Sequence, residues 1–342
     1  MRAMATSPRP VSLTGIKPTG EPHLGNYVGA IRPAITLTAD YDAFYFIADY
    51  HALTTVHDPA VLDRYTRSVT ASWLACGLDP AEVTLYRQSD VPETFELQWV
   101  LSCMTAKGLM NRAHAYKAAR DRNRDSGVED LDAGIDMGLF NYPVLMAADI
   151  LIMAADVVPV GRDQVQHVEY ARDIAERFNL TYGERFALPL PRHVTADDRS
   201  QSTLPGLDGR KMSKSYGNHI PLFADSATLR KLVRRMKTDS TPVDEPKDPD
   251  SSALFAFYRQ FAGPADQAAL RERMLAGGMG WGQMKDVVFE QIDSELSGPR
   301  ERYEALMADR AQLESILLGG AERARSRARE VLGSVRRAIG IG

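Results

Sequence analysis

The sequence predicts an α/β protein: a doubly wound parallel-sheet (Rossmann-like) domain followed by an all-helical domain. Three observations carry that expectation. Short apolar runs of strand length alternate with helical periodicity as far as Ser215, the pattern that builds parallel sheets with right-handed crossovers. One of those runs, Ala43-Phe44-Tyr45-Phe46-Ile47-Ala48, is apolar without interruption, as a strand covered on both faces requires. Beyond Ser215 the strand signal fades, and helical periodicity alone runs from Ala227 to Arg337.

Taken in order, Val11-Ser12-Leu13-Thr14 is a short strand ended by Gly15, and a glycine-rich turn leads into a helix from about Gly25 to Leu37. The apolar run at Ala43 is the second strand. Pro59 opens a helix to about Cys76, proline being at home in a first helical turn. Val83-Thr84-Leu85-Tyr86 is the next strand. Helices are expected over Thr94 to Thr105 and Tyr142 to Ala154, then a strand at Val157-Val158-Pro159-Val160 and a helix from Asp163 to Phe178. Thr238 to Ser252, rich in Asp, Pro and Lys, reads as a loop. The domain boundary is drawn at residue 218, giving a 1–218 domain and a 219–342 domain whose last helix can return to the first.

At 342 residues two domains are the natural division. Hydrophobic and charged fractions of 44% and 25% suit a soluble globular chain. The net charge of −4 supplies no global field for nucleic acid, so any RNA footprint must be a local patch. Cys76 and Cys103 lack metal-ligand spacing and read as two buried thiols in a reducing compartment. No apolar stretch resembles a signal peptide or membrane span, which predicts a cytoplasmic protein.

Chemistry gathers where ligands of open α/β sheets bind, beyond the carboxyl ends of the strands. After the first strand, Lys17-Pro18-Thr19-Gly20 and His23-Leu24-Gly25-Asn26 form a turn whose glycines at 15, 20, 25 and 29 admit close backbone approach. His23 and Asn26 offer neutral hydrogen bonds at a helix start, where phosphate is favoured. Asn26 suits a helix cap equally well. The second strand runs into Asp49-Tyr50-His51, placing His51 at the crevice. Another ends in Gly161-Arg162-Asp163-Gln164, where Gly161 can meet adenine or ribose. Asp163 is open between accepting from ribose hydroxyls and capping the following helix.

Far downstream lies Lys211-Met212-Ser213-Lys214-Ser215, between Gly209-Arg210 and Tyr216-Gly217-Asn218. Two lysines three apart in a glycine-flanked loop suit a mobile grip on polyphosphate, because each ammonium is a point charge on a flexible stem. A merely solvated basic loop is the alternative. Tyr142, Met146, Asp149 and Met153 share one helical face, so Asp149 stands in an apolar stripe and needs a donor. A structural salt bridge would supply one; so would a ligand N–H.

With His23 to Asn26 and Lys211 to Ser215 both present, in that order on that fold, the chain resembles the class I aminoacyl-tRNA synthetases. Thr14-Gly15, Pro18-Thr19-Gly20, His23 to Gly29, Tyr142-Pro143, Met146 to Leu151, Val158 to Gln164 and Gln166-His167 narrow the resemblance to bacterial-type tryptophanyl-tRNA synthetases over nearly the whole chain. The resemblance implies activation of L-tryptophan by ATP with Mg²⁺, transfer to tRNA(Trp), and a homodimer without membrane attachment. It implies no dedicated metal site in the protein. It assigns Lys211 and Lys214, with Met212, Ser213 and Ser215, to the leaving pyrophosphate. Lys17, Pro18, Thr19, His23, Gly25 and Asn26 go to the phosphates, Gly161 to Asp163 to adenosine, and Leu204 to adenine by backbone contact. Asp149 receives the indole N–H while Met146 packs on the ring; Tyr142, Gln164 and His51 surround the amino and carboxylate groups. Phenylalanine would then leave Asp149 unpaired, a mismatch worth roughly 10⁴ in discrimination.

Lys17 stands where many members carry Gln, and Arg162 where many carry an acid. Lys117 matches a phosphate-reaching residue of relatives, or is simply solvated. Arg230, Lys231, Arg234, Arg235 and Lys237, with tail arginines 323, 325, 327, 329, 336 and 337, are candidate tRNA contacts or solvated helix faces. A tyrosyl-tRNA synthetase shares the fold and loop, and an inactive tRNA-binding paralogue would have lost signature residues. A small nucleotidyltransferase explains neither the lysine loop nor the helical domain.

Overall fold

A computed structural model describes residues 9–195 and 204–342; the side chain of Asp163 also lies outside the described residues. Five strands, β1 (Val11–Ile16), β2 (Asp42–Ile47), β3 (Thr84–Arg87), β4 (Val157–Pro159) and β5 (Arg192–Val194), form one sheet in the order β3-β2-β1-β4-β5. Every pairing is parallel, with Leu13 opposite Phe44 and Phe44 opposite Thr84. The strand order reverses between β1 and β4, which opens the ligand crevice at their carboxyl ends. In β2 all residues after Asp42 are buried, as its apolar run predicts.

β5 was not expected. It is three residues long at the sheet edge, and the preceding Leu188-Pro189-Leu190-Pro191 withholds the backbone donors that mark a strand. The helices Lys107–Met110 and His114–Asp125 also escape the periodicity, because Met110, Tyr116 and Ala119 are their only buried residues. The helix Met137–Ile152 starts a full turn before Tyr142, since the Asp136 side chain accepts the Leu139 N–H at 2.8 Å and caps it. Residues 24–37 are helical throughout, with a π turn at Tyr27–Ile31 running into Pro33, which has no N–H to donate.

The helices Ser226–Arg234, Ala253–Tyr258, Pro264–Ala276 and Trp281–Ala308 share one apolar cluster with Leu24, Tyr27 and Ile31 of the first helical run and with Leu204 and Met212. The lysine loop is therefore rooted in the same core as the helices that follow it. The last helix, Arg310–Ile339, turns back and lies along β3 and the helix Glu93–Met104. There Gly320 sits directly on the Leu85 backbone, where a Cβ would collide with the carbonyl.

Guanidinium groups fasten this helix. Arg325 and Arg329 donate to Glu93 at 3.0 and 3.1 Å, Arg336 to Glu96 at 2.6 Å, and Arg323 to the carbonyls of Pro80 and Val83. Arg327 donates to the Met153 carbonyl, which ends the helix Met137–Ile152. Five of the tail arginines read as candidate RNA contacts thus have partners within the chain, and Arg337 bonds Ser334. Cys103 is exposed and Cys76 only half-buried, so the expectation of two buried thiols fails; Cys103 lies on the solvent side of its helix. Among the described residues no helix is long and apolar enough to cross a membrane.

Candidate functional site

The carboxyl ends of β1, β2 and β4, with the helix Met137–Ile152, enclose a cavity of about 430 Å³, within the roughly 300–1,000 Å³ range of small-molecule sites. Its walls are apolar where Leu13, Phe46, Met146, Ile150 and Val158 face it, and polar where Lys17, His51, Tyr142, Asp149 and Gln164 converge. Gly15 is needed here for packing: a Cβ at that position would stand 2.5 Å from the Phe46 ring. Met153 does not join the wall. It ends the helix and turns into the core, fully buried.

Asp149, 3% exposed, is not waiting for a donor. His51 Nε2 lies 2.9 Å from its Oδ2, and Gln88 Nε2 donates to Oδ1 and Oδ2 at 2.8 and 3.0 Å. An ionised carboxylate accepts about four bonds, so a further N–H can be received. A ligand lacking one would still leave Asp149 partnered, which weakens the expected penalty against phenylalanine. Burial pushes the carboxyl pKa up, and the bonds to His51 and Gln88 pull against it. Beside it Asp49 accepts from the N–H and hydroxyl of Ser89, at 3.1 and 2.5 Å, and burial raises its pKa too. The Tyr142 hydroxyl meets His167 Nε2 at 2.7 Å, so that ring is held in place. Lys17 Nζ donates to Thr54 at 2.8 Å on the cavity wall, and burial lowers its pKa.

The second cluster joins the glycine-rich turn to the lysine loop. His23 caps the first helix: its Nδ1 accepts the Asn26 N–H at 3.2 Å, while Asn26 Oδ1 accepts the His23 N–H at 3.1 Å. This makes Asn26 a cap and leaves its amide N–H groups for other partners. The lysine loop is a hairpin. Met212 N–H donates to the Leu204 carbonyl at 3.0 Å, and both side chains are buried. The Leu204 carbonyl is thus already engaged.

Gly209 and Gly217 turn the loop with φ of +83° and +61°. Buried Asn218 ties it together, accepting the Ser213 N–H at 2.8 Å and donating to the Lys211 carbonyl and to Asp208. Ser213 caps the short turn Lys214–Tyr216 and pairs hydroxyls with Ser215 at 2.8 Å. Met212 is the anchor and comes to within 3.5 Å of a Cβ built on Gly25.

Lys214 reaches across to the other element. Its Nζ would stand 2.5 Å from a Cβ on Gly20, so a side chain there would push the ammonium off the turn, and the φ of +151° itself favours glycine. Desolvation lowers the Lys214 pKa, with Glu21 the opposing charge. Burial, then Lys214 and His219, hold the His23 imidazole down at about 4. The His23 and His219 ring centroids are 5.9 Å apart. Lys211 is exposed, its ammonium free to reach outward.

Two sets of predicted residues are thus brought together: Lys17, His51, Tyr142, Met146, Asp149 and Gln164 around the cavity, and His23, Gly25, Met212 and Lys214 at the turn and loop. Pro18 is buried beneath the turn and Thr19 exposed on it. Gly161 and Arg162 are exposed, with Gly161 leading into the turn that delivers Gln164. Lys117 is exposed on its own helix. Gln88, Asn218 and His219 were missed. Asn218 stands in the flank of the lysine loop and Gln88 just beyond the strand at Val83 to Tyr86, but nothing local announces their partners.

Comparison with known proteins matches residues 6–297 to the family of tRNA synthetases class I (W and Y). A tryptophan–tRNA ligase of Neisseria meningitidis is 54% identical over 331 residues, covering 96% of this chain and 97% of that one. One from Xanthomonas axonopodis is 58% identical over 332 residues, covering 96% of this chain and 76% of its own length. Among solved structures, the Campylobacter jejuni tryptophanyl-tRNA synthetase complexed with ADP and tryptophan superposes with a TM-score of 0.87 at 39% identity, covering 97% of this chain and all of that one. The chain belongs to the class I tRNA synthetases of the tryptophan and tyrosine group.

Proposed function

We infer that the chain is a tryptophan–tRNA ligase. The observation that carries this is the near-full-length identity to tryptophan–tRNA ligases, joined to a cavity of amino-acid size with a buried carboxylate in its wall. A tryptophan carboxylate oxygen attacks the α-phosphorus of ATP in line, the bond to the bridging oxygen breaks, and pyrophosphate leaves with that electron pair. The 3′-terminal ribose hydroxyl of tRNA(Trp) then attacks the acyl carbonyl, and AMP leaves. No covalent enzyme intermediate is needed, so the protein contributes positioning and charge.

In this reading Asp149 accepts the indole N–H, Met146 packs on the ring, and Tyr142, Gln164 and His51 surround the amino and carboxylate groups. Lys17, Thr19, Gly25 and Asn26 line the phosphate path, Gly161 to Asp163 the adenosine side, and Lys211 and Lys214 the departing pyrophosphate. The approach of Lys214 to Gly20 supports a jaw that closes over the turn. Magnesium enters as the metal–nucleotide complex, screening phosphate charge. Lys17 on the cavity wall and Lys214 against the turn, with Glu21 the acid beside Lys214, are cations rather than metal ligands and fit a metal carried by the phosphates.

Residues 1–218 form the catalytic unit and 219–342 the anticodon-binding unit, with Lys231, Arg235 and Lys237 exposed for RNA phosphates. A homodimer is supported by exposed apolar side chains: Trp99, 72% exposed, stands one helical turn after Phe95, on which the exposed Tyr50 packs. The place of work is the cytoplasm, where ATP and tRNA meet. ATP–pyrophosphate exchange with each amino acid tests the assignment. Exchange with tryptophan is expected, and exchange with tyrosine alone overturns it. Lys211→Ala with Lys214→Ala should abolish adenylate formation; unchanged exchange would remove the lysines from the chemistry.

A further inference from the structure

Gln88 opens the turn Gln88–Asp90 directly after β3, at the crevice end of the sheet, and is 1% exposed. Its Nε2 straddles both oxygens of Asp149, yet its Oε1 is buried with no hydrogen-bond partner. The reverse amide orientation would press Oε1 against the carboxylate, so Asp149 dictates which way the amide points. A buried acceptor left orphaned is a cost that folding does not otherwise retain. The polar contact that balances it runs to one residue, the carboxylate in the cavity wall.

We propose that Gln88 is a positioning and specificity-determining residue, which fixes the rotation and charge of Asp149 so that the cavity selects a ring N–H donor. The proposal rests on the reading of this cavity as the tryptophan site. His51 alone grips one oxygen and leaves the carboxylate free to swing about its terminal torsion, which is intrinsically soft. Gln88 spans both oxygens and sets the plane. With His51 on Oδ2, the remaining acceptor capacity lies mainly on Oδ1.

Charge matters as much as direction. A protonated Asp149 would turn one oxygen into a donor and keep only a weaker, neutral acceptor for an N–H. The groups facing it are His51 and Gln88, which favour the carboxylate, Asp49, whose charge presses against it, and Tyr86, held as a neutral phenol, in a setting whose burial opposes ionisation. Withdrawing the Gln88 amide therefore raises the pH at which Asp149 takes up a proton.

The test is ATP–pyrophosphate exchange by the full-length protein carrying Gln88→Met, which keeps length and removes both polar atoms. KM for tryptophan should rise about tenfold with KM for ATP little changed, and preference for tryptophan over phenylalanine should fall by about the same factor. The acid-side rise in KM for tryptophan should begin about one pH unit higher than in the parent protein. A folded Gln88→Met with unaltered tryptophan KM and pH profile overturns the proposal. So does a joint loss for tryptophan and ATP with the pH profile unmoved, which marks a structural role. Should Gln88→Met melt early, Gln88→Asn, polar but too short to span both oxygens, is read by the same criteria. A parent protein that exchanges with another amino acid and not tryptophan fails the reading of the cavity instead.

Discussion

Replacing Gly320 with alanine tests how closely the last helix is seated on the sheet edge. On helix propensity alone the change should stabilise by about 1 kcal/mol. The packing predicts the opposite sign. A Cβ built at position 320 stands 2.5 Å from the carbonyl carbon of Leu85 and nearer still to its oxygen. Ordinary carbon contacts need about 3.5 Å, so the helix must lift by at least about 1 Å to clear the carbonyl carbon and further to clear its oxygen. Both clashing atoms are backbone, and no side chain can swing aside.

Lifting the helix loosens buried Leu317, Ala321 and Ala324, which pack beneath it. Overpacking costs about 1–3 kcal/mol, and a clash with backbone that no side chain can relieve belongs to the upper part of that range, about 2–3; the propensity gain offsets about 1, leaving a net loss of about 1–2 kcal/mol. Gly319→Ala is the internal control: nothing lies within 4 Å of its Cβ position, so propensity acts alone and stabilises by about 0.5–1 kcal/mol. Urea unfolding of both variants, read as midpoint shifts at constant slope, measures the two signs. A Gly320→Ala protein as stable as the parent would refute the close seating, whatever the control does.

The His23 imidazole, held at about 4 against an ordinary 6.5, refuses a proton that the unfolded chain accepts. Its contribution to stability is complete above 6.5 and is lost as pH falls toward 4, so His23→Asn, which keeps a cap acceptor, should flatten that limb of the stability–pH curve in denaturant titrations. Arg327→Met removes the donor to the Met153 carbonyl and the guanidinium over Phe44; a loss of about 1–3 kcal/mol is expected in thermal or urea unfolding. Asp149→Asn turns an amide N–H or a weaker acceptor toward Gln88 and His51, and KM for tryptophan should rise about tenfold or more while KM for ATP holds.

The parts of this molecule legible in sequence are those whose cause is local. An unbroken apolar run makes β2 a covered parallel strand because nothing polar interrupts it, and glycines at 209 and 217 foretell the turns of the lysine loop because only glycine takes those φ values readily. The helix His114–Asp125 was invisible for the converse reason: it buries two residues, so no apolar stripe records it. Position-specific strings such as Lys211 to Ser215 survive reading because the chemistry lies in the residue types themselves.

What sequence withholds is the identity of partners across long separations. A carboxylate in an apolar stripe is visible at Asp149, and its need for donors follows from burial. That the donors are His51 and Gln88, 98 and 61 residues away, is fixed only by the sheet that brings three crevice ends together. The same blindness hides the partners of the tail arginines. A run of arginines at alternate positions looks identical whether it faces phosphates or the Glu93 carboxylate 232 residues earlier. The chain's helix count and charge count are indifferent to that choice, but the consequences diverge: a phosphate contact is lost at high salt, whereas a half-buried guanidinium–carboxylate pair that fastens a helix is screened far less. Neutralising Arg325 should therefore lower the melting temperature before it weakens binding to RNA, the order that separates an internal clamp from an external grip.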